Sequence, residues 1–177
     1  SFNRSLWRVT GRHIGTEARA FMNLGAAEST YWAPVVNLAR EPRWGRNIEC
    51  PGEDPYLSGE YAAAFVDGFE RSPLDPTHIQ ASACCKHYVA NSMDDSTVAG
   101  VHHTRYSMDA NISMQDLVDS YMLPFQARLR NGHVTAMWPP CGRHVAAMLP
   151  PCCRTRACPP SRRASRRAGS PRSCAPT

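Results

Sequence analysis

Apolar residues recur at helical spacing in three stretches of the chain and gather into short runs in three others. Ile14, Ala18, Phe21 and Met22 share one side of a helix over residues 12–27, with Gly25 as its stop. Tyr61, Phe65 and Phe69 fall at i, i+4 and i+8 within residues 56–70, which predicts a second helix. Leu117, Tyr121, Phe125 and Leu129 mark a third, which ends at Asn131-Gly132. Ser113 and Asp116 resemble a capping box at its start, and Pro124 kinks or breaks it. The short runs read as strands: residues 31–36, "YWAPVV", weakened by Pro34; residues 79–85, "IQASACC"; and residues 133–138, "HVTAMW". Residues 37–55 and 91–104 are polar and read as loops.

Helix, strand, helix, strand, helix, strand is the order of a parallel α/β architecture. In such sheets chemistry collects where strands end and loops begin. Two polar groups sit at those places: the loop that starts at Asn37, and the pair Lys86-His87.

The pattern dissolves near Trp138. Residues 1–137 carry twelve basic and fifteen acidic side chains, whereas residues 138–177 carry eight arginines and no acid. The net charge of +5 therefore resides entirely in the last stretch, which also holds five of the eight cysteines and eight of the fifteen prolines. Such a composition buries too little apolar surface to order itself, so residues 138–177 are expected to be a disordered tail. The change falls in mid-strand, which suggests a shifted reading frame or an unspliced intron. The longest apolar runs are far below the roughly 18 residues that span a bilayer, so no membrane partner is expected. Residues 1–11 show no signal-peptide pattern, and the chain begins with Ser1.

Three motifs carry candidate chemistry. The loop "NLAREPRWGRNIECPGEDP" interleaves Arg40, Arg43 and Arg46 with Glu41, Glu49, Glu53 and Asp54, on a backbone stiffened by three prolines. Fixed guanidinium forks beside carboxylates suit a hydroxyl-rich ligand, and they equally suit an internally salt-bridged structural loop. "CCKHYVAN" contains Lys86, the single lysine among twenty basic residues, next to His87. Together they offer an ammonium and an imidazole to a ligand; the alternative is a surface lysine and a satisfied histidine. "TRYSMDAN" contributes Arg105, at the end of a polar loop. Trp44 and Tyr56 suit either a pocket wall or the core. Cys84 and Cys85 are adjacent, buried-type strand residues and form no disulfide with one another.

The tail offers two other readings. "SRRASRRAGSPR" permits phosphate neutralisation on nucleic acid, an unfavoured partner because short Arg-rich stretches are common. Cys141, His144, Cys152, Cys153 and Cys158 lack the clean paired hooks of a zinc site. No cofactor or metal is expected.

Taken together, "APVVNLAREPRWGRNIECPGEDPYLSGEYAAAFVDGF", "ACCKHYVAN" and "RYSMDANISMQDLVDSYMLPF" closely resemble glycoside hydrolase family 3 over residues 10–137. Within it they look most like the β-xylosidase and α-arabinofuranosidase branch. The resemblance implies a partial (β/α)8 barrel, the first domain of a longer secreted or vacuolar enzyme that hydrolyses xylosides, arabinosides or glucosides of plant-type polysaccharide. It implies that Arg46, Lys86 and His87 hold the hydroxyls of the sugar in subsite −1, with Arg105 a further substrate contact. Glu53 and Asp54 brace the loop. It also implies an aspartate nucleophile in a later "SD" motif and an acid/base residue on a second domain, neither of which this sequence contains. The 177-residue chain is accordingly expected to be inactive, with exposed strand edges that favour aggregation.

Overall fold

The computed structural model describes residues 2–93, 96–104, 107, 111–130 and 136–138. Arg105, the cysteine cluster and the tail beyond Trp138 lie outside these residues.

The first helix, α1 (Arg4–Asn23), starts where the Asn3 side chain accepts the Leu6 N–H at 3.1 Å. It ends at Gly25, whose φ of 68° lets Gly25 N bond Met22 O and Ala26 N bond Phe21 O, both at 2.9 Å. The helix thus begins earlier than the apolar spacing predicts but stops at Gly25 as expected, and only Ala18 and Met22 of the predicted stripe face the core. Ile14 and Phe21 are 42% and 54% exposed, while Gly11, Gly15 and Ala18 are buried. The reason is a backbone-on-backbone crossing with the second helix, α2 (Pro55–Glu70). A Cβ on Gly11 would collide with the Phe65 carbonyl oxygen, and one on Gly68 with that of Arg8. Such a contact uses few large apolar side chains, so hydrophobic periodicity does not report it. Arg4–Glu60 and Arg8–Asp67 ion pairs, each 2.8 Å, border the crossing.

Asp54 caps α2 by accepting the Leu57 N–H, and Pro55 occupies the first turn, where its missing N–H costs nothing. The predicted aromatic stripe is present: Phe65 and Phe69 stack at 6.2 Å, with Tyr61 5.7 Å from Phe65. This side of α2 packs on a three-stranded parallel sheet in the order β1 (Thr30–Tyr31), β2 (Ser82–Lys86), β5 (Ala136–Trp138). Thr30 pairs with Ser82 and Cys84 with Ala136. α2 connects β1 to β2. A second helical segment connects β2 to β5, made of α3 (Met114–Asp116), a π turn (Leu117–Tyr121) and α4 (Leu123–Arg130). Two successive strand–helix–strand units give the α/β fold that the alternation predicts.

Several boundaries differ from the sequence reading. The expected strand over 31–36 is interrupted after Tyr31. The Ala33–Pro34 peptide is cis, and pairing resumes only at Val35 with Lys86, one residue out of step with β2. The expected strand over 79–85 is shifted to Ser82–Lys86, because Ile79 bridges back to Arg71 and is 46% exposed. The expected loop 91–104 contains an antiparallel hairpin, β3 (Ser96–Val98) and β4 (Val101–His103). Its two-residue turn has φ of 50° at Ala99 and 77° at Gly100, the left-handed pair that matches strand twist. Ser113 caps α3 as expected, but its hydroxyl donates to the Asp116 carboxylate at 2.8 Å: Asp, one methylene shorter than Glu, meets the side chain. Pro124 stands at the second residue of α4, just past the break in the helix.

Candidate functional site

The site forms at the carboxyl end of β2, where the chain from β1 runs alongside. Lys86 N donates to Pro34 O at 3.1 Å and Val36 N to Lys86 O at 2.9 Å. One residue further on, side chain replaces backbone in the ladder. The His87 N–H donates to Asn37 Oδ1 at 2.7 Å, and Asn37 Nδ2 donates to the His87 carbonyl at 2.9 Å. His87 Nδ1 lies 3.0 Å from the same Oδ1. Asn37 and His87 are buried and Lys86 is half-buried. The Lys86–His87 peptide is cis.

The loop after Asn37 folds back on an apolar anchor. Trp44 and Leu38 are each 2% exposed, so Trp44 is core, whereas Tyr56 is a surface residue at 74%. Trp44 N bonds Glu41 O, and Asn47 Nδ2 donates to that same carbonyl at 2.7 Å. A 3-10 turn, Asn47–Glu49, then brings Glu49 under Arg46. Their ion pair is bidentate, with Nε to Oε1 at 2.7 Å and Nη2 to Oε2 at 2.8 Å. The Arg46 hydrogen bonds chiefly hold the Glu49 carboxyl below its ordinary range, against some desolvation; the charges of Lys86 and His87 add to the effect. Arg46 is thus bonded to Glu49, whereas Lys86 and His87 act on it only through their fields.

The other arginines of the loop are engaged elsewhere. Arg43 grips Glu41 through two bonds of 2.6 and 2.8 Å, at the surface, and lowers that carboxyl to about 2. The Arg40 guanidinium lies 5.1 Å from the centre of the Tyr121 ring. For Arg43 the structural alternative is thus the correct one. Asp54 is a helix cap, in keeping with a bracing role. Cys50, Cys84 and Cys85 are free thiols, and burial pushes Cys50 up to about 11.

Two contributors, Asn37 and Glu49, stand within the loop motif but have no mark there that sets them apart. Asn37 is the polar residue that ends the apolar run "APVV", and Glu49 stands three residues after Arg46; both signals are merely local. Arg105 lies outside the described residues. Among the described residues no group of three His, Cys, Asp or Glu side chains is arranged to hold a metal ion. Among the same residues no helix is long and apolar enough to cross a membrane. A cavity of about 600 Å³ lies beyond the opposite end of β2, between α1 and residues 72–80. Its Asp75 is lowered to about 2 by hydrogen bonds from Thr77 and His78, and its Arg19 donates to the Ile79 carbonyl at 2.6 Å.

The model of the glycosyl hydrolase family 3 N-terminal domain matches residues 1–140. Beta-D-xylosidase 3 of Arabidopsis thaliana is 43% identical over 138 residues, which are 77% of this chain and 17% of that protein. Beta-xylosidase/alpha-L-arabinofuranosidase 2 of Medicago sativa is 44% identical over the same shares. The solved structure of a family 3 exo-beta-xylosidase in complex with a xylobiose aziridine probe superposes with a TM-score of 0.71 and 28% identity, covering 79% of this chain and 18% of that one. Beta-glucosidase 3B from Thermotoga neapolitana, in complex with glucose, gives 0.65 and 29%, covering 80% and 17%. The chain spans less than a fifth of the length of these relatives. Sequence and fold agree: the chain belongs to glycosyl hydrolase family 3 and carries a part of its N-terminal domain.

Proposed function

We propose that residues 1–137 are the sugar-binding part of an exo-acting, retaining β-glycosidase, most closely a β-xylosidase, that removes terminal sugars from plant-type polysaccharide or its oligosaccharides. The observation that carries this reading is the placement of Lys86 and His87 at the carboxyl end of β2, tied through Asn37 to the loop in which Arg46 grips Glu49. A guanidinium fork, a compact ammonium and an imidazole suit the crowded hydroxyls of a neutral sugar. In this reading all three line subsite −1 and Arg105 adds a contact. The lone lysine is retained because a strongly hydrated point charge fits where a planar fork would not. The named relatives favour xyloside or arabinoside over glucoside.

β1, β2 and β5 are then three strands of a (β/α)8 barrel, a fold that takes about 250 residues when complete. The partners of this segment are the remaining strands and a second domain. Retention needs two carboxyl groups about 5–5.5 Å apart, one of them a nucleophile. Glu49, held ionised by Arg46, is an orienting group. The nucleophile comes from a later strand and the acid/base from the second domain, and residues 138–177 contain no Asp or Glu. The 177-residue chain alone therefore binds sugar weakly and does not turn it over.

The test is a chimera in which residues 1–137 replace the homologous segment of the Arabidopsis relative. Hydrolysis of an aryl β-xyloside by the chimera, and none by the 177-residue chain, is the expected result. A folded chimera without activity, or turnover by the chain alone, would contradict it. A second reading, a sugar-binding pseudoenzyme, has in its favour the presence of "PRWGR" and "CCKHY" without the nucleophile motif. Thermal stabilisation of the chain by xylose without turnover would favour it.

A further inference from the structure

The cavity between α1 and residues 72–80 carries positive charge that the fold does not balance. Arg12, Thr16 and Arg19 reach it from α1, at i, i+4 and i+7 on one side of the helix. Arg12 is half-buried, and its Nε is shut away from water with no hydrogen-bond partner. Such a donor is costly, the more so in a charged group. Arg19 Nη2 donates to the Ile79 carbonyl at 2.6 Å, a neutral acceptor. Among the described residues neither guanidinium is paired with a carboxylate. The acid on the cavity wall, Asp75, is engaged in its own turn. Its Oδ1 accepts from Thr77 N at 3.0 Å and Thr77 Oγ1 at 2.7 Å, and its Oδ2 lies 2.9 Å from His78 Nδ1. Gln80 is occupied as well: Nε2 donates to the carbonyls of Phe69 and Arg71, each at 3.2 Å, and Oε1 accepts from Thr16 Oγ1 at 3.3 Å. The Ser72 hydroxyl accepts the Leu74 N–H at 3.1 Å and has its own hydrogen left to give. Two guanidinium groups thus line one cavity whose own acceptors serve other donors.

We propose that this cavity binds a small molecule bearing a carboxylate or a phosphate, with Arg12 and Arg19 holding the oxyanion and Ser72 a further donor. The volume of about 600 Å³ is that of a small-molecule site. An oxyanion supplies both things the cavity lacks: an acceptor for Arg12 Nε, and negative charge against two guanidinium groups whose planar forks match a pair of oxygens. A neutral polyol brings oxygens but no charge. Pro73 and Ile79 line the remainder and suit the carbon part of the ligand. The cavity lies at the opposite end of β2 from Lys86 and His87, so the proposal does not depend on the sugar-binding reading.

The experiment follows the arginine Nε–H signals by proton–nitrogen NMR in the ¹⁵N-labelled 177-residue chain. The chain is titrated at neutral pH with sodium phosphate and, separately, with sodium acetate, while sodium chloride keeps the ionic strength constant. The signals of Arg12 and Arg19 are assigned by their loss in Arg12→Lys and Arg19→Lys. Saturable shifts of both are expected with at least one of the anions, while Arg43, which grips Glu41, does not follow. Arg12→Lys keeps the charge but removes the fork. It should weaken binding, read at Arg19, by about tenfold, the scale of one charge-assisted hydrogen bond. Saturation by phosphate alone assigns a phosphorylated ligand, saturation by acetate alone a carboxylic acid, and either supports the site. No saturable shift with either anion, shifts that include Arg43 equally, or unchanged affinity in folded Arg12→Lys overturns the proposal. If Arg12→Lys does not fold, the unsubstituted chain and Arg19→Lys, read at Arg12, still decide.

Discussion

The α1–α2 crossing and the loop at the end of β2 are held by opposite means. At the crossing, glycines bring two backbones together with no room for an added atom. In the loop, Asn37, Arg46, Asn47 and Glu49 hold the chain by polar bonds around a buried Trp44, and a Cβ on Gly45 would meet nothing within 4 Å. The crossing is therefore sensitive to gains in volume and the loop to losses of partners. The first is a demand of the fold; the second is what a binding site needs, since its side chains must stay oriented without being sealed away.

The sharpest test of that contrast substitutes alanine for glycine in each region. Gly68→Ala drives a methyl group into the Arg8 carbonyl and should cost about 3 kcal/mol, or abolish folding, in a urea denaturation followed by circular dichroism. Gly45→Ala in the same assay should stay within about 0.5 kcal/mol of the unsubstituted chain. Equal effects would break the comparison.

Loss of a partner is tested next by Asn37→Leu. The buried N–H and C=O of His87 lose their bonds, and stability should fall by about 1–3 kcal/mol. Arg46→Ala should cost less, within about 1 kcal/mol, because its pair with Glu49 is partly open to solvent and screened. Its clearer signature is in the pH dependence. Glu49 is depressed below its ordinary value of 4.5, so the native state binds fewer protons than the unfolded chain in that acidic range. Its contribution is fully present above 4.5 and is lost as the pH falls through the depressed value. Urea midpoints should therefore decline with acid in this window, and Arg46→Ala should flatten that decline. The smallest effect belongs to the exposed pair: Glu41→Gln should shift the urea midpoint least, and in the unsubstituted chain the Glu41 carboxyl should titrate at about 2 by NMR.

The sequence made the alternation of elements, the aromatic face of α2 and the motifs at Arg46 and Lys86-His87 legible, because each has a periodic or compositional signal. It hid the true extent of α1, since glycine contacts leave no apolar stripe and the exposed Ile14 and Phe21 supply a misleading one. It hid the hairpin at residues 96–103, whose Ala-Gly turn is a weaker mark than Asn-Gly. Within the site, Arg43 and Arg46 look alike in one dimension. Only the fold separates the arginine that grips a surface glutamate from the one whose glutamate senses Lys86 and His87. The role of Asn37 was hidden because its partner lies fifty residues away.

The most direct test of the central claim is the effect of Lys86→Ala on kcat/KM for an aryl β-xyloside, in the chimera that carries residues 1–137 within the Arabidopsis relative. The account predicts an active chimera whose kcat/KM falls by about 100-fold or more on losing the ammonium, the scale of a donor that strengthens in the transition state. An active chimera that is indifferent to Lys86→Ala would contradict it.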